Sequence, residues 1–437
     1  MTPFLTDLDP REAVKGSRDP LGIQAIWTRF GRHVIGNLSN ASSSVRDFTI
    51  LILGYHFATQ VADAAGPGTE LATFLKWEQL SAYARAHVNG DWGFRGTERV
   101  RRNLDEGVVT LSAETTHQIL SSRKAYGIWG LYSVPGRASG LLGGQPARLN
   151  PPAQELVERT YLEAIAHAGL NDGKRLVDLL GRDQVKLDLR RPADQKILNV
   201  VAALLKADFG TVERQFYRQH LLYGGPNDST EGRQRQLVEL IELKLASGAF
   251  PWTPATVIGF AKDAEQRGER WHSLGFHLRR IEAAERTLAP ASDLFTYLLG
   301  CDGVTIGEIT KRMQQEENWG RGVATISPSA TADLKAELGH RDDKAGQRWI
   351  EIADAMATGA YGPLITLLVQ QNQSVMHSRG GAAWIEEDKG SLKVRVSEER
   401  GRLPQRADLP TLWRFPYFLN SLCSVAAPLK EGRNRSP

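Results

Sequence analysis

Apolar residues recur at helical spacing through most of the chain. Residues 20–63 carry one such stripe, then a polar turn, and then a segment that is apolar on nearly every side. Ser44 is placed to cap this second helix, whose body runs from Val45 to Ala58. A helix without a polar face is stable only when it is buried, so we expect it at the centre of the first domain. The side chains expected to be buried are Phe48, Ile50, Leu51, Leu53 and Phe57.

Further helices are predicted wherever the same period returns. They cover residues 71–88, 235–247, 255–267, 269–287, 329–339, 343–357 and 361–377. The turn signal Asn89-Gly90-Asp91 follows the first of these helices, and the glycine-rich stretch from Gly127 to Gly144 is expected to form exposed connections. The two prolines of Asn150-Pro151-Pro152 cannot continue a helix and therefore indicate a domain boundary.

The segment from Pro290 to Glu316 has the spacing of a helix-turn-helix or winged-helix-like unit. Ser292 is placed to cap a short helix, a glycine-flanked turn follows, and residues 305–315 form a second helix. Lys311 and Arg312 lie on this second helix and are candidate DNA contacts. Because such units also serve as protein interaction modules, the sequence leaves both uses open.

Strand-forming patterns appear only after Gly381. Residues 383–386 and 392–396 flank Glu387-Asp388-Lys389-Gly390, which has the composition of a hairpin loop. A last helix, with Pro416 as a kink or a start, is predicted over residues 411–425. The predicted fold class is therefore mainly α and multi-helical, with one small C-terminal β-hairpin.

The length of the chain bounds its domain organisation. At 437 residues it exceeds what one hydrophobic core usually supports, which indicates two or three domains. The breaks in the helical pattern place these domains at residues 1–150, 151–287 and 288–437. A hydrophobic fraction of 41% and a charged fraction of 24% are typical of a globular chain that folds by itself.

The protein is mildly basic, and most of its basic residues are arginines. The net charge is +4, and the 54 basic residues comprise 15 Lys and 39 Arg. The planar guanidinium fork suits phosphate groups, although a GC-rich genome produces the same bias. Two distant cysteines, Cys301 and Cys423, supply no disulfide framework. With no secretory signal at the N-terminus and no apolar run long enough for a bilayer, we expect a cytoplasmic protein without membrane contact.

The sequence lacks the common catalytic and cofactor motifs. It contains no phosphate-binding loop, no dinucleotide fingerprint, no zinc-protease motif and no nucleophile elbow, so we predict no catalytic residue, metal or cofactor. Ser121 and Lys124 match a four-residue acyl-transfer spacing without its partner motifs, and His272 and His277 point to different sides of a helix. An enzyme whose active site assembles from distant residues stays open as a third alternative.

Basic and aromatic residues alternate in one part of the chain. They are Tyr83, Arg85, His87, Trp92, Phe94, Arg95, Arg99, Arg101 and Arg102, followed by Arg123, Lys124, Tyr126, Trp129, Tyr132 and Arg137. Guanidinium groups can bind phosphates while aromatic faces stack on bases, which is what single-stranded nucleic acid requires. Core aromatics beside solvated arginines would give the same string, so a contact surface and a structural role both stay open. A shorter string, residues 214–223, divides into two faces like an ordinary amphipathic helix.

Two passages of the sequence resemble bacterial proteins that are encoded in a particular gene neighbourhood. The opening Asp19 to Trp27 with Ser44-Val45-Arg46-Asp47 is similar to the start of uncharacterised bacterial helical proteins encoded near anti-phage defence and mobile-element genes. The closing Arg379 to Trp384 and the aromatic run Trp413 to Phe418 are similar in the same way, and together the passages cover about a fifth of the chain. The resemblance implies a bacterial defence component and supplies no catalytic residue.

These observations lead to one leading hypothesis and one alternative. The first is a non-enzymatic subunit of a bacterial defence or nucleic-acid-handling complex that binds DNA or RNA. Its candidate contacts are Arg95, Arg99, Arg101, Arg102, Arg123, Lys124, Lys311 and Arg312. The alternative is a scaffold that binds only other protein subunits, because Arg, Trp and Tyr are also enriched at protein interfaces.

Overall fold

The fold is described from a computed structural model. It describes residues 19–120, 126–315, 319–320, 322–323, 332, 344–396 and 402–430. Within these residues the chain is mainly helical, as predicted, and its strands are short. The α-helices are α1 (Ile23–Arg32), α2 (Val45–Ala65), α3 (Glu70–His87), α4 (Thr97–Asp105), α5 (Ile128–Ala138), α6 (Pro151–Leu156), α7 (Glu163–His167), α8 (Lys174–Gly181), α9 (Pro192–Leu204), α10 (Thr211–Tyr217), α11 (Arg233–Ala246), α12 (Pro254–Gln266), α13 (Glu269–Leu298), α14 (Ile306–Gln315), α15 (Lys344–Thr358), α16 (Tyr361–Ser378) and α17 (Leu419–Leu429). The strands are β1 (Val108–Ser112), β2 (Leu142–Gly143), β3 (Arg148–Leu149), β4 (Gln184–Asp188), β5 (Ile385–Asp388) and β6 (Ser391–Val394). The helix predicted over residues 329–339 falls almost entirely outside the described residues.

The chain divides into two compact units, each built from two separate stretches of sequence. Unit 1 comprises Met1–Val34 and Ala249–Tyr417, and unit 2 comprises Ile35–Gly248 and Phe418–Pro437. The boundary expected at residue 150 falls inside unit 2, where Pro151 begins helix α6. Proline is accepted in the first turn of a helix because the N–H it lacks has no helical partner there. The boundary expected at residue 287 falls inside the continuous helix α13 of unit 1.

Helix α2 is buried along most of its length in unit 2 and packs against α3, α5 and α8. Ser44 caps it as predicted, because its side chain accepts a hydrogen bond of 3.2 Å from the backbone N–H of Asp47. The five side chains predicted to be buried are at most 2% exposed, which confirms that prediction.

The glycine-rich stretch from Gly127 to Gly144 is not a set of exposed connections, contrary to expectation. Most of it forms helix α5, which packs on α2. A Cβ atom added to Gly136 would lie 2.7 Å from Cδ2 of Leu51, so the two helices approach closely only because this residue is glycine. Glycine here permits close packing between helices instead of marking a loop.

Unit 2 also contains two short strand pairs that the sequence pattern did not predict. Strand β1 pairs antiparallel with β4, and β2 pairs antiparallel with β3. Along β1, Val109 and Leu111 are buried, and on β4 Val185 and Leu187 are buried. β1 and β4 are far apart in sequence and are not joined by a tight turn, so no local sequence pattern predicts that they pair.

A buried polar network joins α2 to α10 within unit 2. Arg46 on α2 and Glu213 on α10 form an ion pair of 2.6 Å, with both side chains less than one tenth exposed. The Tyr161 hydroxyl donates to Glu213 at 2.6 Å. Arg46 also donates to the backbone carbonyls of Lys206 and Asp208. The network therefore satisfies the charge and most donors of a buried guanidinium group.

The predicted helix-turn-helix unit in unit 1 is not confirmed. Ser292 does not cap a short helix, because it lies within the last turns of α13. Pro290 in a helix interior costs about 3 kcal/mol. Here Leu288 and Leu294 on either side are fully buried, and their packing offsets that cost. Of the predicted unit, only the second helix agrees with the prediction, because α14 begins directly after the capping residue Thr305.

The predicted C-terminal hairpin is confirmed, and the predicted last helix is wrong at its start. β5 pairs antiparallel with β6, and Lys389 and Gly390 turn the chain with φ values of 51° and 81°, as a type I′ turn requires. The helix expected over residues 411–425 begins only at Leu419. Pro416 disfavours helical backbone in the residue before it, and Tyr417 and Phe418 have left-handed φ values of 44° and 63°, so the helix begins only after Phe418.

Glu285 of α13 binds this non-helical segment from inside the core of unit 1. Its carboxylate accepts hydrogen bonds from the backbone N–H groups of Arg414 and Phe415 and from the Tyr417 hydroxyl, the last at 2.8 Å. Burial raises the pKa of Glu285 to about 7, against the lowering effect of these donors and of the Arg414 charge. Arg414 also pairs with Asp293, whose pKa burial raises as well.

Replacing Glu285 with Gln should reduce the pH dependence of stability. Because the folded pKa of about 7 exceeds the ordinary value of 4.5, the contribution of Glu285 is fully present below pH 4.5 and is lost as pH rises through 7. At about 1.4 kcal/mol per pH unit, the loss amounts to about 3 kcal/mol. Denaturant unfolding of the wild type and of Glu285→Gln, at about pH 5 and about pH 8, measures this difference. Equal pH dependence in the two proteins would contradict the assignment.

Candidate functional site

Four of the arginines predicted as contacts lie together in unit 2. Arg99, Arg101 and Arg102 belong to α4, whereas Arg95 precedes its first residue, so the expected alignment of Arg95 with the others on one helix does not form. All four are exposed, and none pairs with a carboxylate among the residues that the structure describes. Arg99 donates from Nη1 to the backbone carbonyl of Gln118 at 2.9 Å, which holds its guanidinium group in place.

Two aromatic side chains stand beside these arginines. The rings of Trp92 and Phe94 are stacked, with centroids 6.4 Å apart and an interplanar angle of 18°. The guanidinium carbon of Arg101 lies 4.8 Å from the Trp92 centroid, and that of Arg85 lies 5.2 Å from the Phe94 centroid. Both are cation–π distances, so each ring of the stacked pair carries a guanidinium group over one face. We name the outer part of this arrangement the arginine–aromatic face: Trp92, Phe94, Arg95, Arg99, Arg101 and Arg102.

Arg85 anchors the inner end of the stack. It is buried on α3 and donates to the carboxylates of Asp47 at 2.8 Å and Asp91 at 2.7 Å. Its remaining nitrogen lies 3.4 Å from the carbonyl oxygen of Gly93. A buried guanidinium group held by two carboxylates has little freedom to move, so Phe94 and Trp92 rest on a fixed support.

A cavity of about 400 Å³ opens beside this stack, and we name it the Asp47 cavity. Its inner polar residues are Asp47, Glu78, Arg85 and Tyr132, and its apolar walls are Ile50, Ala82, Ile119, Ile128 and Leu131. Exposed residues surround its mouth: Asn40, Ser43, Trp92, Arg95 and Tyr126. The helices α2, α3 and α5 supply most of the inner residues, so a rigid core shapes the cavity.

The inner carboxylates are tied to their neighbours. Asp47 accepts from Arg85 and, at 3.0 Å, from the Tyr132 hydroxyl. Burial raises the pKa of Asp47 above its ordinary value, although the Arg85 charge and these hydrogen bonds lower it. Burial also raises the pKa of Tyr132, and the charge of Asp47 adds to that effect. Glu78 accepts from the backbone N–H of Ile128 at 2.7 Å. The arrangement is suited to holding a ligand by fixed hydrogen-bonding groups.

Four further residues were predicted as contacts: Arg123, Lys124, Lys311 and Arg312. Arg123 and Lys124 lie outside the described residues. Lys311 and Arg312 are on α14 of unit 1, whereas the face belongs to unit 2. Arg312 forms an ion pair with Glu308 in its own helix.

The second basic–aromatic string, residues 214–223, is part of the packing of unit 2. Arg218 is buried, forms an ion pair with Glu242 and donates to the Tyr223 hydroxyl at 2.7 Å. The rings of Phe216 and His220 contact each other with centroids 4.4 Å apart, on one side of the segment as the spacing predicts. The structural interpretation of this string therefore agrees with its contacts.

Sequence reasoning missed two inner residues of the cavity, Asp47 and Glu78. Asp47 resembles an ordinary first-turn acidic residue after the cap Ser44, so nothing distinguished it. Glu78 could have been noticed, because it lies two helical turns before Arg85 and therefore on the same face of α3. Their convergence depends on the packing of α2 against α3, which spacing alone does not show.

Comparison with known proteins finds no match among family models, curated proteins or solved structures. Among the residues that the structure describes, no helix is long and apolar enough to cross a membrane. The same residues include no group of three or more His, Cys, Asp or Glu side chains arranged to hold a metal ion.

Proposed function

We propose that this protein is a non-enzymatic nucleic-acid-binding protein that holds single-stranded DNA or RNA on the arginine–aromatic face of unit 2. The observation that carries the proposal is the placement of Arg95 and Arg101, both exposed and without carboxylate partners in the described part of the chain, beside a stacked aromatic pair, with the exposed Arg99 and Arg102 on the same short helix as Arg101. Guanidinium groups bind backbone phosphates, and an aromatic ring offers a stacking surface to any base.

The contacts that hold the two aromatic rings in place favour nucleic-acid binding. Trp92 and Phe94 are held by Arg85, which is fixed by Asp47 and Asp91, so the stacking surface is formed before a ligand arrives. A preformed surface loses less conformational freedom on binding than a mobile one. Both oxygens of Asp47 are engaged, which favours a binding role over proton transfer.

Replacing Arg95, Arg99 and Arg102 together with Ala should weaken binding to a single-stranded oligothymidylate by about 10- to 100-fold at low salt, because three exposed contacts with a net contribution of about 0.5–1 kcal/mol each amount to about 1.5–3 kcal/mol. Counterion release gives a slope of about −0.7 per phosphate contact on single strands. The plot of log affinity against log salt concentration should therefore flatten by about 2. Fluorescence anisotropy across a salt series measures both quantities.

A matched control removes the same charge elsewhere. Arg159, Arg175 and Arg235 are exposed arginines on other parts of unit 2, and replacing these three with Ala changes the net charge equally. We expect this control to bind with nearly the wild-type slope. Equal slopes for the wild type and the Arg95, Arg99, Arg102 variant would refute the proposed interface, as would an absence of binding by the wild type.

We extend the proposal to membership of a bacterial defence or nucleic-acid-handling complex, which the resemblance of the opening and closing passages supports. The alternative is a scaffold that uses the same arginines and aromatics to bind a protein subunit. The salt series separates the two, because a scaffold would show no salt-dependent binding to a bare strand.

A further inference from the structure

We propose that the Asp47 cavity takes one nucleobase of the bound strand, and that this base carries an amino group on its hydrogen-bonding edge. The inference rests on the proposed function for the phosphate contacts, and it adds a second site with its own ligand chemistry. The ligand is thus a nucleobase with a phosphate close by, whether it belongs to a strand or to a free nucleotide.

The position and size of the cavity fit a single base. Its volume of about 400 Å³ lies in the usual range for small-molecule sites. Trp92, Phe94 and Arg95 belong both to the arginine–aromatic face and to the lining of the cavity. A strand whose phosphates lie on the face therefore has a base within reach of the opening, and unstacking one base costs only a few kcal/mol.

The walls of the cavity suit a flat ring. Ile50, Ala82 and Leu131 supply apolar surface, and Phe94 and Tyr132 add aromatic surface to the lining. Stacking of a base on an aromatic side chain contributes about 1–3 kcal/mol. This is enough to offset the unstacking of the same base from its neighbours in the strand.

The inner polar groups select the hydrogen-bonding edge. Arg85 and Tyr132 already donate to Asp47, and the Ile128 N–H donates to Glu78, so both side chains act as hydrogen-bond acceptors in the cavity. The cavity therefore favours a base that brings donors, which the amino groups of guanine, adenine and cytosine provide. Thymine and uracil bring one ring N–H flanked by two carbonyl oxygens, which would face the carboxylates. Guanine, with an amino group beside a ring N–H, matches a carboxylate best.

The charges around the cavity favour a neutral ring joined to a phosphate. The carboxylates of Asp47 and Glu78 lie at the inner end of the cavity, where Arg85 is already bound to Asp47 and Asp91, so this end disfavours a phosphate. Arg95 is exposed and lies at the mouth, whereas the carboxylates lie inside. A nucleotide that enters ring first keeps its phosphate beside Arg95.

The test compares strands that differ in one base. The full-length wild-type protein is titrated with an oligothymidylate and with the same strand carrying one central guanosine, adenosine or cytidine. We expect the guanosine strand to bind about 5- to 20-fold more tightly than the oligothymidylate, which corresponds to one good pair of base hydrogen bonds. Ala82→Leu should reduce this ratio to about one, because the larger side chain occupies the cavity.

Two further variants keep the test decisive. Glu78→Gln retains an oxygen for the Ile128 hydrogen bond and replaces one acceptor by a donor, so it should reduce the guanosine preference without filling the cavity. Ala203→Leu lengthens a side chain in a separate open groove of unit 2 and should leave the ratio at its wild-type value. An unfolded Ala82→Leu protein would be recognised by circular dichroism, and Glu78→Gln would then decide.

The outcomes separate this inference from the proposed function. If the wild type binds all four strands equally and with a steep salt slope, the base site is wrong and the phosphate interface stands. If it binds no strand but binds guanosine monophosphate, and Ala82→Leu abolishes that binding, the cavity takes a free nucleotide and the proposed strand interface is wrong. Binding of neither strand nor nucleotide would overturn both.

Discussion

Arg46→Ala should lower the free energy of unfolding by about 3–5 kcal/mol, because it breaks a buried ion pair and leaves its partner without compensation. The variant would leave the Glu213 carboxylate with the Tyr161 hydroxyl and the backbone N–H of Gly210 as its remaining donors. It would also remove the guanidinium group that lies 3.9 Å from the Phe209 ring centroid. Denaturant unfolding followed by circular dichroism measures the change.

The matched control replaces both partners by apolar side chains of similar size. Arg46→Met combined with Glu213→Leu removes the charges together, so no uncompensated carboxylate is left in the core. We expect the double variant to be more stable than Arg46→Ala, as is found when whole buried ion pairs are exchanged for packed apolar residues. A loss of less than about 1 kcal/mol in Arg46→Ala would show that the pair is effectively solvated.

Leu51→Ala should cost about 2–5 kcal/mol, because the side chain is fully buried and its removal leaves a cavity against α5. The m-value should stay constant, since the surface exposed on unfolding hardly changes. Leu243→Ala is the matched control: Leu243 is 58% exposed, so we expect its replacement to change stability by less than about 0.5 kcal/mol.

The close approach of Leu51 and Gly136 provides a second test of how α2 packs against α5. Gly136→Ala alone forces a Cβ atom to within 2.7 Å of Leu51 Cδ2 and should be strongly destabilising. In the Leu51→Ala background that clash is absent, so the second substitution should be much better tolerated. A double-mutant cycle with no coupling would contradict the contact.

Local pattern determined much of the helical structure. The stripe of α1, the Ser44 cap of α2 and the type I′ turn at Lys389-Gly390 each depend on residues within a few positions of one another. Helical periodicity, capping and turn preference act over such distances, so one sequence is enough to show them. The burial of the all-round apolar helix α2 follows for the same reason.

The candidate site was predictable only in its outer part. The sequence between residues 92 and 102 shows arginines interleaved with Trp92 and Phe94. The cation–π contacts that join them into a stack, and the anchoring of Arg85 by Asp47, are contacts between side chains of different elements. Spacing along the chain contains no information on which elements pack together.

What the sequence by itself determined is therefore the mainly helical class, the Ser44 cap, the C-terminal hairpin, the burial of α2 and the basic–aromatic string. Tertiary structure decided that α13 continues through Pro290, that β1 pairs with β4, and that Asp47, Glu78 and Arg85 meet around one cavity. The physical reason is the same in each case: burial and pairing between distant segments outweigh local preferences of about 1–3 kcal/mol, and they depend on neighbours that the local sequence does not contain.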